Sequence, residues 1–173
     1  VEAARKYNRI VEHGTQNRSS PNIVEAIQKL KEGVIGRVYL ARGIAYKTRG
    51  PLGRLEPVAV PAGLNWDAWQ GPAPDQPYAR LRHRGWHLLW DYGNGDIGNQ
   101  GVHEMDLMRW ALDLDTHPTK IAAMGGHYIY QDDQQAPHVH AAMFEYQGRD
   151  LLLTLETRSG FTNDEAGMGT TYP

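Results

Sequence analysis

Apolar residues recur at helical spacing in the first part of the chain. They stand at i, i+3, i+4 and i+7, as Ile23, Ala26, Ile27 and Leu30. Ser20 is a favourable N-cap, Pro21 suits the first helical position, and Gly33 ends the pattern. Helical spacing also predicts a helix over residues 1–10, and residues 11–17 are expected to form a short strand.

Segments rich in β-forming or alternating residues follow. Strands are expected over residues 37–46, 119–130, 138–146 and 150–159, and a helix over residues 96–113. In the last strand Leu151, Leu153 and Leu155 point to one face, and Gln147-Gly148 forms the hairpin turn before it. The pattern predicts an α+β fold with an open, mainly antiparallel sheet and helices on one face.

No periodicity holds between residues 47 and 90. Six of the ten prolines fall there, together with Trp66, Trp69 and Trp86. So many large aromatic residues argue against a disordered linker. A loop of this length in a compact domain is usually functional or packs on a partner. Two interpretations stay open, an arm that contacts another subunit and a wall of the active site.

Composition narrows the class of protein. The 173 residues are 40% hydrophobic and 22% charged, which is typical of a folded globular protein. The net charge of -2 provides no basic surface for a nucleic acid, and no apolar run reaches the ~18 residues of a membrane helix. The chain contains no cysteine, which excludes disulfides, thiolate zinc sites and cysteine nucleophiles.

Four polar residues at helical spacing carry the candidate chemistry. Asp96, Asn99, His103 and Asp106 are separated by three, four and three positions, so a continuous helix would present them on one face. A histidine is suited to taking the proton of an alcohol near neutral pH. Asn99 could orient the imidazole or hold a hydroxyl, and the two aspartates could accept hydroxyl hydrogens from a polyol.

Three aromatic residues come just before this helix. Trp86, Trp90 and Tyr92 could offer flat apolar faces to the C–H edges of a sugar. Together with the polar face they favour a sugar or polyol as the small-molecule partner.

Structural roles for the same side chains stay open. Asp96 could cap the helix, Asp106 could pair with Arg109 at i+3, and His103 could be a hydrogen-bonded core histidine. A zinc site built from His127, His138 and His140 is an alternative, but no carboxylate of matching spacing accompanies them, and no metal is expected.

The Gly-x-Gly-x-x-Gly match at residues 93–98 is rejected as a dinucleotide fingerprint. No strand comes directly before it, and no acidic residue follows at the ribose-binding distance.

Residues 93–106 resemble the glycine-rich helix motif G-G-G-x-x-x-D-x-G-x-H-x-x-D of the glucose–fructose oxidoreductase, inositol dehydrogenase and MocA (Gfo/Idh/MocA) oxidoreductases. Residues 14–18 with Pro21 look like that family's crossing from its Rossmann domain into the second domain, and residues 33–38 look like its helix-to-strand turn. Segments 66–74 and 90–95 are similar to a sugar-related bacterial subgroup.

The resemblance implies a two-domain NAD- or NADP-dependent enzyme acting on a sugar or polyol hydroxyl. Residues 1–18 would be the remnant of the last helix and strand of its Rossmann domain, with Asn17 and Arg18 near the cofactor. Residues 19–173 would be the substrate-binding and oligomerisation domain, incomplete at its C-terminal end, with His103 as the proton-transferring residue. The open sheet would form a homo-oligomer. This chain alone is expected neither to bind the cofactor tightly nor to turn over.

One position departs from the family pattern. Asn99 stands where the family usually has aspartate, and an amide cannot supply the negative charge that would raise the basicity of a nearby histidine. This leaves room for an NAD-dependent glycosidase on the same scaffold. A non-catalytic dimerisation or carbohydrate-binding domain is a third interpretation. A bacterial cytoplasmic and a periplasmic location both stay open.

Overall fold

A computed structural model describes residues 1–47 and 49–160. Its sheet has the strands β1 (Leu40–Tyr46), β2 (Lys120–Gly126), β3 (Val139–Tyr146) and β4 (Leu151–Arg158) in the order β1-β4-β3-β2. β1 runs parallel to β4, and the other pairs are antiparallel. The helices are α1 (Glu2–Lys6), α2 (Pro21–Lys31), α3 (Trp66–Gln70), α4 (Arg80–Arg84), α5 (Gly95–Asn99) and α6 (Gly101–Ala111). The predicted α+β fold with an open, mainly antiparallel sheet is confirmed.

The β3–β4 hairpin follows from its turn residues. Gly148 and Asp150 have φ angles of 83° and 46°, in the left-handed region that glycine and aspartate tolerate best. The turn sets Tyr146 opposite Leu151. From there every second residue of β4 is buried, as the alternation of leucines predicts.

Helix α6 covers one face of the sheet and forms the main core with it. The buried members of that core are Met108, Leu114, Tyr146, Leu151 and Leu153. Two glycines allow the close approach. A Cβ at Gly43 would lie 2.9 Å from the Cβ of Glu104, and one at Gly101 would lie 2.7 Å from Cδ2 of Leu155. The helix and the sheet can therefore pack almost backbone to backbone.

The opposite face of the sheet carries no helix among the described elements. Glu156 binds Arg42 at 3.0 Å and also pairs with Arg158. Met143 and Leu152 lie on the same face and are 50% and 36% exposed. This face combines an ion-pair network with exposed apolar side chains.

The segment between β1 and α5 forms an arm over residues 47–94, of which Thr48 is not described. The arm contains the short helices α3 and α4 and a 3₁₀ turn, Trp86–Leu88. The backbone N–H groups of Leu52 and Leu55 donate to Asp132 and Asp133, which anchors the arm to the β2–β3 connection. In the described part of the chain, no helix is long and apolar enough to cross a membrane.

Two local predictions were wrong. Residues 11–15 form no strand, and Gln16–Ser19 is a 3₁₀ turn, because no described strand runs beside them to accept their hydrogen bonds. The helix expected over residues 96–113 is divided at Gln100 into α5 and α6. The glycines at 98 and 101, which have low helix propensity, flank this division. The helix predicted over residues 1–10 is shorter, Glu2–Lys6.

Candidate functional site

Asp96 is the centre of a buried polar network at the start of α5. Its side chain is 6% exposed, and Arg49 Nη1 donates to Asp96 Oδ1 at 2.9 Å. The Asn99 amide also donates to this oxygen, at 3.4 Å. Asp96 is therefore not the helix cap, because Asn94 occupies that position. The guanidinium and the amide compensate the burial of the carboxylate.

His87 completes the network from the arm. Its Nε2 lies 2.9 Å from Arg49 Nη1. Because a guanidinium can only donate, Nε2 must accept, and the ring is neutral with its proton on Nδ1. Burial, followed by the charge of Arg49, lowers the pKa of His87, and Asp96 opposes this shift. His87 therefore stays a neutral acceptor at neutral pH.

His103 lies in the first turn of α6, next in sequence to a partly buried carboxyl. Its Nδ1 is buried and has no hydrogen-bond partner among the residues that the structure describes. Glu104 Oε2 is also buried and has no hydrogen-bond partner among the described residues. Burial raises the pKa of Glu104, while a backbone hydrogen bond, His103 and Lys47 act in the opposite direction.

Asp106 binds Arg18 through both carboxylate oxygens. Arg18 Nε lies 2.8 Å from Oδ2, Arg18 Nη2 lies 2.7 Å from Oδ1, and the guanidinium stands 5.1 Å from the ring centroid of Trp110. The pairing with Arg109 considered from the sequence is not formed, because Arg109 donates to the Thr116 carbonyl instead. A substrate hydroxyl at Asp106 would have to compete with a bidentate ion pair.

Asn17 lies in the same 3₁₀ turn as Arg18 and is half-buried. Its backbone carbonyl accepts from the Ser20 N–H at 3.2 Å. Arg18 of this turn contacts α6 through Asp106, while the proposed cofactor role of both residues stays a prediction.

The predicted aromatic residues divide into two groups. Trp86 and Tyr92 line an open cleft of about 540 Å³, whereas Trp90 does not. The remaining lining residues are Trp69, Gln70, Pro72, Ala73, Pro74 and Asp91. Trp90 is 56% exposed, and its backbone N–H donates to the Gln135 side chain.

Arg49 and His87 were missed in the sequence. Neither belongs to a motif, and Arg49 lies 47 positions before Asp96. The one available signal was the expectation that a buried aspartate needs a cationic partner. That signal does not identify which of 18 lysines and arginines provides it.

Two of the three histidines considered for zinc have other partners. His138 is fully buried, its Nε2 lies 3.1 Å from Asp132 Oδ1, and its Nδ1 faces the Tyr130 N–H at 3.4 Å. His127 Nε2 donates to the Ala136 carbonyl at 3.0 Å. Within residues 1–47 and 49–160 no group of three metal-binding side chains occurs.

Residues 93–98 do not have the form of a phosphate-binding loop. They follow a 3₁₀ turn rather than a strand. The third glycine of the fingerprint normally packs its helix against a strand, whereas a Cβ at Gly98 would meet the Asn94 side chain at 2.0 Å. Among the described residues this segment therefore does not fit a dinucleotide.

Solved structures similar in fold include dehydrogenases and other NAD-bound proteins. GenD2 from gentamicin A biosynthesis, in complex with NAD, has a TM-score of 0.63 at 14% identity over 94% of this chain and 37% of its own. Levoglucosan dehydrogenase with NADH and levoglucosan has a TM-score of 0.60 at 15% identity, over 92% of this chain and 36% of its own. The WlbA dehydrogenase from Bordetella pertussis with NADH and UDP-GlcNAcA has a TM-score of 0.58 at 15% identity, over 91% of this chain and 38% of its own. The chain thus spans little more than a third of these proteins.

A family profile gives a sequence-level match. Residues 31–159 match the profile GFO_IDH_MocA_C2, described as an oxidoreductase family, C-terminal alpha/beta domain. No curated protein matches the chain.

Proposed function

Because the chain belongs to the Gfo/Idh/MocA oxidoreductase family, we propose that it is the substrate-side portion of an NAD(P)-dependent enzyme acting on a sugar or polyol hydroxyl. His103 is the residue that accepts or returns the hydroxyl proton. The proposal concerns the parent protein, since the proteins of similar fold are much longer than this chain. Residues 1–18 are proposed to end its cofactor domain, and residues 19–173 to bind the substrate.

The observation that carries the proposal is the buried Nδ1 of His103, which has no partner within residues 1–47 and 49–160. A buried polar atom without a partner costs about 1–3 kcal/mol, so a fold retains one mainly where it serves a purpose. An imidazole whose Nδ1 is held by no partner is not fixed in one protonation state, and it can take up a hydroxyl proton through the ring nitrogen that the substrate reaches.

The Asp96 network positions the neighbouring amide. Because the Asn99 Nδ2 atom donates to Asp96, the carbonyl oxygen of the same amide is directed away from that carboxylate and can accept from a substrate hydroxyl. Arg49 fixes the carboxylate and thereby the amide. In this arrangement Asp96 acts as a positioning residue, and it also brings a negative charge close to the position where the family usually has aspartate.

The nicotinamide would supply the hydride acceptor or donor. We assign its pyrophosphate to another part of the parent protein, because segment 93–98 follows a 3₁₀ turn and lacks the strand–loop–helix form of a phosphate-binding loop. Asn17 and Arg18 are the residues of this chain that we propose at the edge of the cofactor. Saturable micromolar binding of NADH by the isolated chain would contradict this assignment.

The test compares His103→Ala with His117→Ala in the full-length parent enzyme. His117 is exposed and serves as the matched control. We expect turnover to fall about 10²- to 10⁴-fold for His103→Ala, the range of general acid–base catalysis, with nicotinamide binding unchanged. The control should keep its turnover.

Unchanged turnover in His103→Ala would exclude the proposed role. NAD-dependent release of an aryl alcohol from an aryl glycoside would instead support the glycosidase alternative that Asn99 suggests.

We also propose that the open face of the sheet pairs with a second copy of the chain. Exposed Met143 and Leu152 lie beside the ion pairs of Glu156, a mixture of apolar and polar groups that suits a subunit interface. Met143→Lys should shift the sedimentation coefficient from dimer to monomer. A monomeric unmodified chain would refute the pairing.

A further inference from the structure

The aromatic cleft of the arm lies apart from the polar network around Asp96 and has a different composition. We propose that this cleft, lined by Trp69, Trp86 and Tyr92, is a binding subsite for an uncharged pyranose ring. The binding of a saccharide here is independent of the catalytic assignment. The further statement, that this ring is a non-reacting part of the substrate, rests on the proposed function.

The rings are held in place before a ligand arrives. Trp69 stacks on Trp66 with ring centroids 4.6 Å apart and an interplanar angle of 12°. His83 and Tyr92 each lie 5.1 Å from Trp69, the first edge-on and the second tilted. Because the platform is already ordered, binding does not have to immobilise it.

Buried hydrogen bonds fix Tyr92 and the loop that faces it. Gln70 is buried, and its Oε1 accepts from the Tyr92 hydroxyl at 3.1 Å and from the Gln76 N–H at 2.8 Å. Its Nε2 donates to Asp75 at 3.1 Å. These bonds hold the two sides of the cleft at a set separation.

The remaining groups on the wall suit hydroxyls rather than anions. Asp91 lines the cleft and makes no side-chain hydrogen bond to the residues that the structure describes, so its carboxylate can accept hydroxyl hydrogens. It is the one charged residue among those lining the cleft, which disfavours a phosphate or carboxylate ligand. Trp86, 43% exposed, offers an indole to the apolar C–H face of a sugar.

The volume and the position agree with this occupant. About 540 Å³ lies within the ~300–1,000 Å³ of small-molecule sites. Trp86 directly precedes His87, which contacts Arg49 of the Asp96 network. A Cβ at Gly93 would lie 2.5 Å from the Cα of His87, so the two ends of this wall pack closely. The same segment therefore borders both the cleft and the network.

The experiment follows the five tryptophan indole signals of this chain by NMR during titration. The probes are methyl β-glucopyranoside, cellobiose, maltose and xylobiose, with glucose 6-phosphate as the charged comparison. The variants are Trp86→Ala and Trp90→Ala, which remove two similarly exposed tryptophans, of which only the first lines the cleft. Trp86→Tyr keeps an aromatic ring if the alanine variant does not fold.

We expect saturable shifts of the Trp69 and Trp86 signals with at least one neutral saccharide. Trp86→Ala should raise its Kd about 10-fold, the loss of one stacked ring, and Trp90→Ala should leave it within about 2-fold. The proposal is overturned if no neutral saccharide shifts these signals, if both variants weaken binding equally, or if glucose 6-phosphate binds more tightly.

The two proposals fail separately. Saccharide binding with full turnover in His103→Ala would leave the subsite standing without the catalytic role. A catalytic effect of His103 without saccharide binding at Trp86 would do the reverse.

Discussion

Two regions of the molecule each have a histidine with a buried ring nitrogen near a carboxyl group, and they differ in whether that nitrogen has a partner. At the β2–β3 connection His138 has both ring nitrogens within reach of a partner, on Asp132 and on the Tyr130 backbone. At the start of α6 the buried Nδ1 of His103 has no partner in the described part of the chain, and neither has Oε2 of the next residue, Glu104. The buried polar atoms of the first region all have hydrogen-bond partners in the described fold, and those named in the second region have none.

The difference suggests separate roles, in which His138 stabilises the fold and His103 is available for proton transfer. Asp132 also accepts from the Leu52 and Gln134 N–H groups, so the His138 region anchors the arm to the sheet. Polar groups that are fully paired rigidify a core, whereas groups left unpaired reduce its stability. We therefore expect substitutions to lower the free energy of unfolding in the first region but not in the second.

The largest expected contrast is between His138→Leu and His103→Leu. His138→Leu should lower the free energy of unfolding by about 2–3 kcal/mol, because a buried hydrogen bond to a carboxylate is lost. His103→Leu should leave it unchanged or raise it by about 1 kcal/mol, because an unpartnered polar atom is removed. Urea denaturation of this chain, followed by tryptophan fluorescence, measures both.

His117→Leu, at an exposed position, controls for the introduction of leucine itself. Equal losses of unfolding free energy in His138→Leu and His103→Leu would mean that His103 has a partner in solution. The proposed difference between the two regions would then be wrong.

A smaller effect is expected at Glu104, where burial raises the pKa above its ordinary value of 4.5. A carboxyl whose folded-state pKa is raised contributes stability below its unfolded pKa and loses it as pH rises through the folded value. Glu104→Gln removes this dependence. Relative to the unmodified chain, the variant should gain about 1 kcal/mol of unfolding free energy at pH 7 and nothing at pH 4.

The matched control is Glu25→Gln at an exposed position on α2, which should behave alike at both pH values. If Glu104→Gln destabilised the chain at pH 7, the carboxylate would have to be paired, and Glu104 would belong with His138 rather than with His103.

The amino-acid sequence was sufficient for elements whose signal is local. The helix after Ser20, the β3–β4 hairpin and the buried leucines of β4 were predicted from spacing and turn residues, because a 3.6- or 2-residue period is written directly in the chain. The motif at residues 93–106 also led to the correct family. The strand predicted over residues 11–17 was wrong, because a strand forms only where another strand accepts its hydrogen bonds.

Only the tertiary structure decided which polar groups are paired. Asp96, Asp106 and His103 share one spacing pattern, yet Arg49 binds the first, Arg18 binds the second, and the third keeps a nitrogen unpartnered among the described residues. Those partners come from 47 and 88 positions away. Pairing at such separations depends on how the sheet and the arm bring distant segments together, which no local period records.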